Sequence, residues 1–276
     1  MEYFMSLKTP VKCWQVDAFT NRPFGGNPAA ICWLESEADP QWMQAVASEM
    51  NLSETAFVRQ LPEGLELRWF TPTVEVDLCG HATLATAHAL WSSDHVPQEK
   101  PLRFHTRSGV LTCTKAGDFI ELDFPATPAI TAEIPSQLTE ALGVKPTYLG
   151  QSRFDYLAVF DSEEIVRSLK SDFRKLERIP VRGVIVTAPS DDPRFDFVDR
   201  FFAPAVGIDE DPVCGSAHCC LTPYWAERLG KPELMAHQIS ARGGVLRLKH
   251  NGDRVILGGQ AVTIWKGELF ATGTAR

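Results

Sequence analysis

The chain has 276 residues, 44% of them hydrophobic, with 27 basic and 35 acidic side chains and a formal net charge of −8. That is enough apolar surface for one large core or two modest ones, and an acidic balance without a long basic run excludes a general binder of nucleic acid or anionic membranes. No apolar run approaches the roughly 20 residues of a membrane helix, and the opening MEYFMSLKTPVKCW lacks the order of a secretory signal, so a cytoplasmic setting is expected.

In chain order, VKCWQVDAF reads as a strand, TNRPFGGNP as a glycine- and proline-rich turn, and AAICWL as a second strand. Asp39 followed by Pro40 is a cap and first-turn pair for a helix, DPQWMQAVASEM, with Trp42, Val46 and Met50 on one face. SETAFVRQ and LELRWFT read as strands, a helix is expected from Gly80 to about Trp91, and LRFHTRSG, VLTCTKAG and DFIELDF form a meander. After the linker-like PATPAITAEIPS the plan recurs: a short helix near QLTEALG, strands around TYLGQSRFDYLAVF, a helix SEEIVRSLKSD and a strand GVIVTAP. FDFVDRFF suits a strand or a helix. A helix after Cys214 then leads into ISARGGVLRLKH and DRVILGGQAVTIWKGEL, again strand patterns.

Two stretches tie the halves together: DLCGHATLATAHALW at 77–91 and DPVCGSAHCCLTPYW at 211–225. Setting Gly80 on Gly215 pairs Cys79 with Cys214, His81 with Ser216 and Ala82 with Ala217. A repeated order of strands, long helix and hairpins at a half-chain period is the trace of a duplication. The expected fold is α/β (α+β), two similar domains, each a curved, mostly antiparallel sheet around a central helix. The boundaries expected are 1–127 and 128–262, with a C-terminal strand at 263–276 packing on the first domain.

The chemistry follows from the two helix starts. Unpaired N–H groups and positive potential make a glycine-led helix end a seat for a carboxylate, and a pseudo-twofold pairing would aim both ends at one small acid. A thiol just before such an end is expected to have its pKa lowered and to serve as an acid/base group. Equally, each cysteine could simply fill a tight spot. Glu54, between the helix ending at Met50 and the apolar AFV, is a carboxylate placed for partial desolvation and hence for proton transfer. His81 and Asp211 are the other titratable groups beside the helix ends.

Other chemistries fit poorly. FGGNP follows a strand but opens into another strand-like run, unlike GxGxxG, and neither GxxxxGK[ST] nor GxSxG occurs. No CxxC pair exists, and Cys219 and Cys220 point to different helix faces, so no metal site is expected. The seven cysteines, at 13, 32, 79, 113, 214, 219 and 220, are an odd number in a chain that needs no staples; Cys13, Cys32 and Cys113 read as small buried hydrophobes. Trp14, Trp69, Phe70 and Phe202, taken singly, read as core.

FTNRPFGGNPAAI (19–31), MNLSETAFV (50–58), RWFTPTVEVDLCGHATLATAHAL (68–90), EDPVCGSAHC (210–219), ISARGG (239–244) and VILGGQAVTIWKGEL (255–269) together resemble the phenazine-biosynthesis F-like isomerase family. The resemblance spans about 11–270 with the motifs in order. It implies a diaminopimelate-epimerase-like fold with the active site in a cleft between two domains, no cofactor, and a homodimer. It assigns the proton shuttle to Glu54 and substrate positioning or polarisation to His81, Asp211 and Ser216. Asn27 and the backbone of Gly80, Gly215 and Ser216 match the substrate-holding elements.

One departure stands out: many members read EDPVTGSA where this chain has Cys214. Cys79 and Cys214 occupy the positions of the two catalytic thiols of the related epimerases and proline racemases. Three functions are therefore open: a cofactor-independent isomerase moving a proton within a small cyclic amino or hydroxy acid, a two-cysteine epimerase or racemase using Cys79 and Cys214, and a non-enzymatic protein that binds small acids. All three take a small carboxylate, and none involves nucleic acid or membrane.

Overall fold

A computed structural model describes residues 9–93, 95–97 and 100–270. The chain divides into two units, Met1–Leu122 with Gly259–Arg276, and Asp123–Gly258. Among the described residues no helix is long and apolar enough to cross a membrane.

The first unit begins with β1 (Val11–Ala18), β2 (Asn27–Leu34), α1 (Pro40–Met50), β3 (Glu54–Leu61), β4 (Gly64–Phe70), β5 (Glu75–Val76), α2 (Gly80–Ser92), β6 (Leu102–Thr106), β7 (Gly109–Ala116) and β8 (Phe119–Pro125). β1 and β2 are antiparallel, β2 and β3 parallel, and β3 and β4 antiparallel. β4 takes β5 antiparallel and β6 parallel, and β6, β7 and β8 form a meander. Two glycines of this unit are required by their surroundings. Gly26 has φ +60°, and a Cβ there would lie 2.0 Å from the Ala18 carbonyl oxygen, so the turn before β2 closes only on glycine. A Cβ on Gly259 would meet Phe19 Cδ1 at 2.4 Å and Leu84 Cδ1 at 2.7 Å.

The second unit contains β9 (Ile130–Thr131), α3 (Ser136–Leu142), β10 (Tyr148–Gln151), β11 (Asp155–Val159), α4 (Glu163–Ser168), α5 (Phe173–Leu176), β12 (Gly183–Pro189), β13 (Phe197–Ala203), β14 (Ile208–Asp211), α6 (Gly215–Leu229), β15 (Glu233–Gln238), β16 (Gly244–Asn251) and β17 (Arg254–Gly259), and the chain returns to the first unit in β18 (Ala261–Leu269). Its pairings repeat those of the first unit step for step. β10 and β11 are antiparallel, β11 and β12 parallel, β12 and β13 antiparallel, β13 takes β14 antiparallel and β15 parallel, and β15 to β17 form a meander. Even the added strand has a counterpart: β18 pairs antiparallel with β1, and β9 with β10. The duplication expected from the cysteine-glycine pairs is thus present in the strand topology.

α2 is buried on nearly all sides, from His81 to Trp91, and packs on β1, β2, β3 and β18. Its many alanines let the sheet approach the backbone closely, and its buried threonine hydroxyls return hydrogen bonds to the carbonyls one turn back, as Thr86 does to Ala82 at 2.7 Å. α6 is buried in the same manner. α1 is instead one-sided: Trp42, Met43, Val46 and Ala47 cover Phe57 and Phe70 on the sheet. Trp14, Trp69, Phe70 and Phe202 are all core.

Candidate active site

In the first unit the site grows from the start of two parallel strands. Asn27 opens β2 and Glu54 opens β3, with Ala29 in register with Glu54, so both N-terminal strand ends lie side by side. Ser53 Oγ donates to Asn27 Oδ1 at 3.2 Å, which ties the residue before Glu54 to the fully buried Asn27. Asn51, in the left-handed region at φ 50°, ends α1 and turns the chain into this corner. Thus the sequence NLSET is a helix stop, a tether and a carboxylate in succession.

His81, the second residue of α2, brings its imidazole to that carboxylate. His81 Nε2 lies 3.2 Å from Glu54 Oε2, with side-chain exposures of 7% and 13%. The two atoms are close but not aligned for a hydrogen bond, and both are buried. On the opposite edge of the ring, Nδ1 is 3.5 Å from Cys79 Sγ. Burial by itself pushes the imidazole down, but Cys79 and Glu54 outweigh it and hold His81 well above the ordinary histidine value of 6.5. The ring therefore stands between a thiol and a carboxylate, and its protonated form is favoured there.

Glu54, Cys79 and His81 also place one oxygen, one sulfur and one nitrogen within 4.8 Å of one another, a metal-type donor set that the cysteine spacing alone does not reveal. The orientation of the ring disfavours a chelate: one nitrogen faces the thiol and the other the carboxylate, so a single ion could not draw on all three without turning the imidazole.

In the second unit the chain from the end of β14 to the first turn of α6 carries Asp211, Cys214, Gly215 and Ser216. Asp211 closes β14, and its Oδ1 accepts the Val213 N–H at 3.2 Å. Ser216 Oγ is 3.3 Å from Cys214 Sγ. The turn is fastened by two buried or half-buried side chains that the sequence reading passed over. Gln238, fully buried at the end of β15, accepts the Cys214 N–H at 2.9 Å and donates to the Asp211 carbonyl at 2.7 Å. Ser240 Oγ donates to the Pro212 carbonyl at 2.7 Å. No local signal marks Gln238, because its partners are more than twenty residues away; a polar residue at an inward strand position is the one clue.

The expectation for the thiols is overturned. Burial raises the Cys79 thiol, and Glu54 raises it further against smaller offsets from His81 and the Ala82 N–H. Burial likewise pushes Cys214 well up, with Asp211 adding to it and Arg182, Ser216 and the Ala217 N–H opposing. A helix end lowers a thiol pKa only where the thiolate keeps some solvation; at 7% exposure each, these two do not. Burial thus works against the thiolate at both positions.

The profile of the phenazine biosynthesis-like protein family matches residues 16–267. An uncharacterized isomerase of Halalkalibacterium halodurans is 54% identical over 265 residues, covering 96% of this chain and 99% of that protein. The crystal structure of a phenazine biosynthesis protein of the PhzF family from Enterococcus faecalis superposes with a TM-score of 0.91 at 44% identity, covering 95% of this chain and all of that one. A probable proline racemase from Agrobacterium radiobacter, at 11% identity and a TM-score of 0.62 over 95% of this chain and 93% of its own, shares the fold alone.

Proposed function

As this chain is an isomerase belonging to the phenazine biosynthesis-like family, we propose that it moves a proton within a small cyclic amino or hydroxy acid, without a cofactor, by general acid/base catalysis at Glu54. The observation that carries the reading is the 3.2 Å approach of His81 Nε2 to Glu54 Oε2 in a largely desolvated setting. A carboxylate held there by a cationic ring can accept a proton and give it back without a change of partner.

In the proposed step the substrate C–H bond, made acidic by adjacent unsaturation, breaks as Glu54 takes the proton. The electron pair shifts through the conjugated carbons, and Glu54 returns the proton to another carbon, so nothing is oxidised or reduced. His81 stays charged and balances the carboxylate before and after. Asn27 and the N–H groups of Gly80, Gly215 and Ser216 are proposed to hold the substrate, and Asp211 and Ser216 to position or polarise it; donors aimed at developing charge are worth several kcal/mol. A cytoplasmic homodimer belongs to the same reading.

The two-cysteine racemase has less support. It requires one of Cys79 and Cys214 as a thiolate, and burial opposes that for both. Incubation in heavy water with trans-2,3-dihydro-3-hydroxyanthranilate, proline, hydroxyproline and diaminopimelate, read by mass spectrometry, separates the two. Label at a new carbon of the cyclic dihydro-acid, lost in Glu54→Gln, is the expected result. Label at an α-carbon with loss of chirality, lost in Cys79→Ser or Cys214→Ser, would overturn it.

A further inference from the structure

The proposed reaction uses one histidine, yet a second is buried just as deeply at the equivalent helix of the other unit. With Gly80 set on Gly215, His218 falls opposite Thr83. In the first unit Thr83 Oγ1 donates to the Cys79 carbonyl at 2.5 Å, a neutral donor on the peptide that precedes α2. In the second unit that place is taken by the His218 ring, whose Nδ1 donates to the Cys214 carbonyl at 2.8 Å. The other ring nitrogen, Nε2, is 3.2 Å from Asp199 Oδ1 on β13, and both side chains are fully buried. Among the described residues neither Asp199 oxygen has an aligned hydrogen-bond donor, and the His218 ring is the group that faces it.

The carbonyl of Cys214 and the N–H of Gly215 belong to one peptide unit. A cation donating to the oxygen withdraws electron density from the nitrogen, and an amide polarised in this way is a stronger donor at its own hydrogen. The neighbouring peptide groups are also fixed, by Gln238 at Asp211 and Cys214 and by Ser240 at Pro212. We propose that the Asp199–His218 pair is a positioning device for the start of α6: through the Cys214 carbonyl it strengthens and aims the Gly215 N–H as a donor to the carboxylate of the substrate. This rests on the reading above, in which Gly215 holds a small acid. It also makes the two helix ends unequal, one carrying its imidazole at the second helical residue and facing outward to Glu54, the other at the fourth and acting through the backbone.

The titratable groups acting on His218 are Asp199 on β13 and Asp211 ahead of α6, while Cys214 meets the ring through its backbone carbonyl; His237 on β15 lies near Asp199. Burial lowers the ring, and Asp199, the Cys214 carbonyl and Asp211 more than restore it.

The test combines nitrogen-15 NMR with kinetics on Asp199→Asn and His218→Gln. In the parent protein at pH 7 both His218 nitrogens should carry protons. Asp199→Asn should neutralise the ring and move the Gly215 amide proton upfield. KM for the cyclic dihydro-acid should rise about five- to tenfold in both variants with kcat nearly unchanged, the pattern of a lost ground-state contact. His218→Gln keeps a neutral donor to the carbonyl, so full restoration of KM by glutamine would show a merely structural role and overturn the proposal. A neutral His218 in the parent protein, or a Gly215 amide indifferent to Asp199→Asn, would overturn it without reference to turnover. A moved amide with unmoved KM would also overturn it, while leaving the Glu54 reading intact. Should no panel acid be turned over by the parent protein, the isomerase reading is what fails, and the position of the Gly215 amide upon titration with benzoate replaces KM as the measure of carboxylate binding: weaker binding in Asp199→Asn supports the device and equal binding overturns it.

Discussion

His81 Nε2 and Glu54 Oε2 approach to 3.2 Å from two different elements, the second residue of a buried helix and the first residue of a strand. Because a strand end and a helix end are both anchored by the sheet, the pair is held by the scaffold and not by a loop. Replacing Glu54 by Gln keeps the shape and removes the base. Proton exchange into the substrate should fall about 10²- to 10⁴-fold, while the melting temperature stays within a few degrees. Retention of more than a tenth of the exchange rate would remove Glu54 from the chemistry.

The two buried histidines set a dependence of stability on pH. Each binds its proton more tightly folded than unfolded, so the stability it contributes is full below about pH 6.5 and is lost as pH rises through the raised folded-state values. His88 and His237, both pushed down chiefly by burial, act only below that window. Urea unfolding should therefore give a free energy that declines from pH 6.5 upward, with a shallower decline in His81→Asn. A flat profile over pH 6.5–9 would contradict the charged state of both rings.

Cys79 and Cys214 should be slow thiols. With burial the largest cause raising each, iodoacetamide at pH 7 should alkylate them at least about tenfold more slowly than free cysteine. Peptide mapping of a time course gives both rates at once. Rapid modification of either would favour the two-thiol mechanism over the Glu54 reading.

Gly26 offers a stability test next to the site. Alanine there combines a left-handed backbone with a Cβ 2.0 Å from the Ala18 carbonyl oxygen, which should cost about 2–4 kcal/mol. The turn must shift, and with it Asn27, so KM should rise as well. An alanine variant with parental stability and parental KM would mean that the turn is looser than its geometry.

Asp39→Ala serves as the control far from the chemistry. Asp39 Oδ1 accepts the Gln41 N–H at 3.0 Å and caps α1. Its loss should cost about 1 kcal/mol without changing KM or kcat, as read by urea unfolding and steady-state rates.

Local signals in the sequence predicted local structure well. Asp39-Pro40 marks the start of α1, and the cysteine-glycine pairs mark α2 and α6, because capping and first-turn chemistry are written in adjacent residues. Where partners are distant the sequence says less. A helix read through SEEIVRSLKSD stops at Ser168, since Leu169 turns to extended backbone and its carbonyl, like that of Val166, accepts from the Arg200 guanidinium. FDFVDRFF, open to either reading, is a strand because β12 and β15 take its two edges. The motifs single out Glu54 and His81, which the structure brings together, and Asp211 and Ser216, which it places on either side of Cys214. Gln238 and Asp199 were not, because each acts across at least nineteen residues on a backbone or ring that no motif names. The pKa direction of the thiols was misjudged for the same reason: burial is a property of the whole fold.

The pairing of β18 with β1 has a consequence for the order in which the protein is made. The second unit is one continuous stretch, Asp123–Gly258, whereas the first requires Gly259–Arg276 as well as Met1–Leu122. At ~5–20 residues per second on the ribosome, the early segment waits on the order of ten seconds for the strand that covers β1. During that interval β1, which carries the apolar Val11, Cys13 and Val16, presents an open edge, the circumstance in which nascent chains pair wrongly or recruit a chaperone. The half synthesised first is thus the half completed last, and its exposure to misfolding is set by translation speed through the intervening unit.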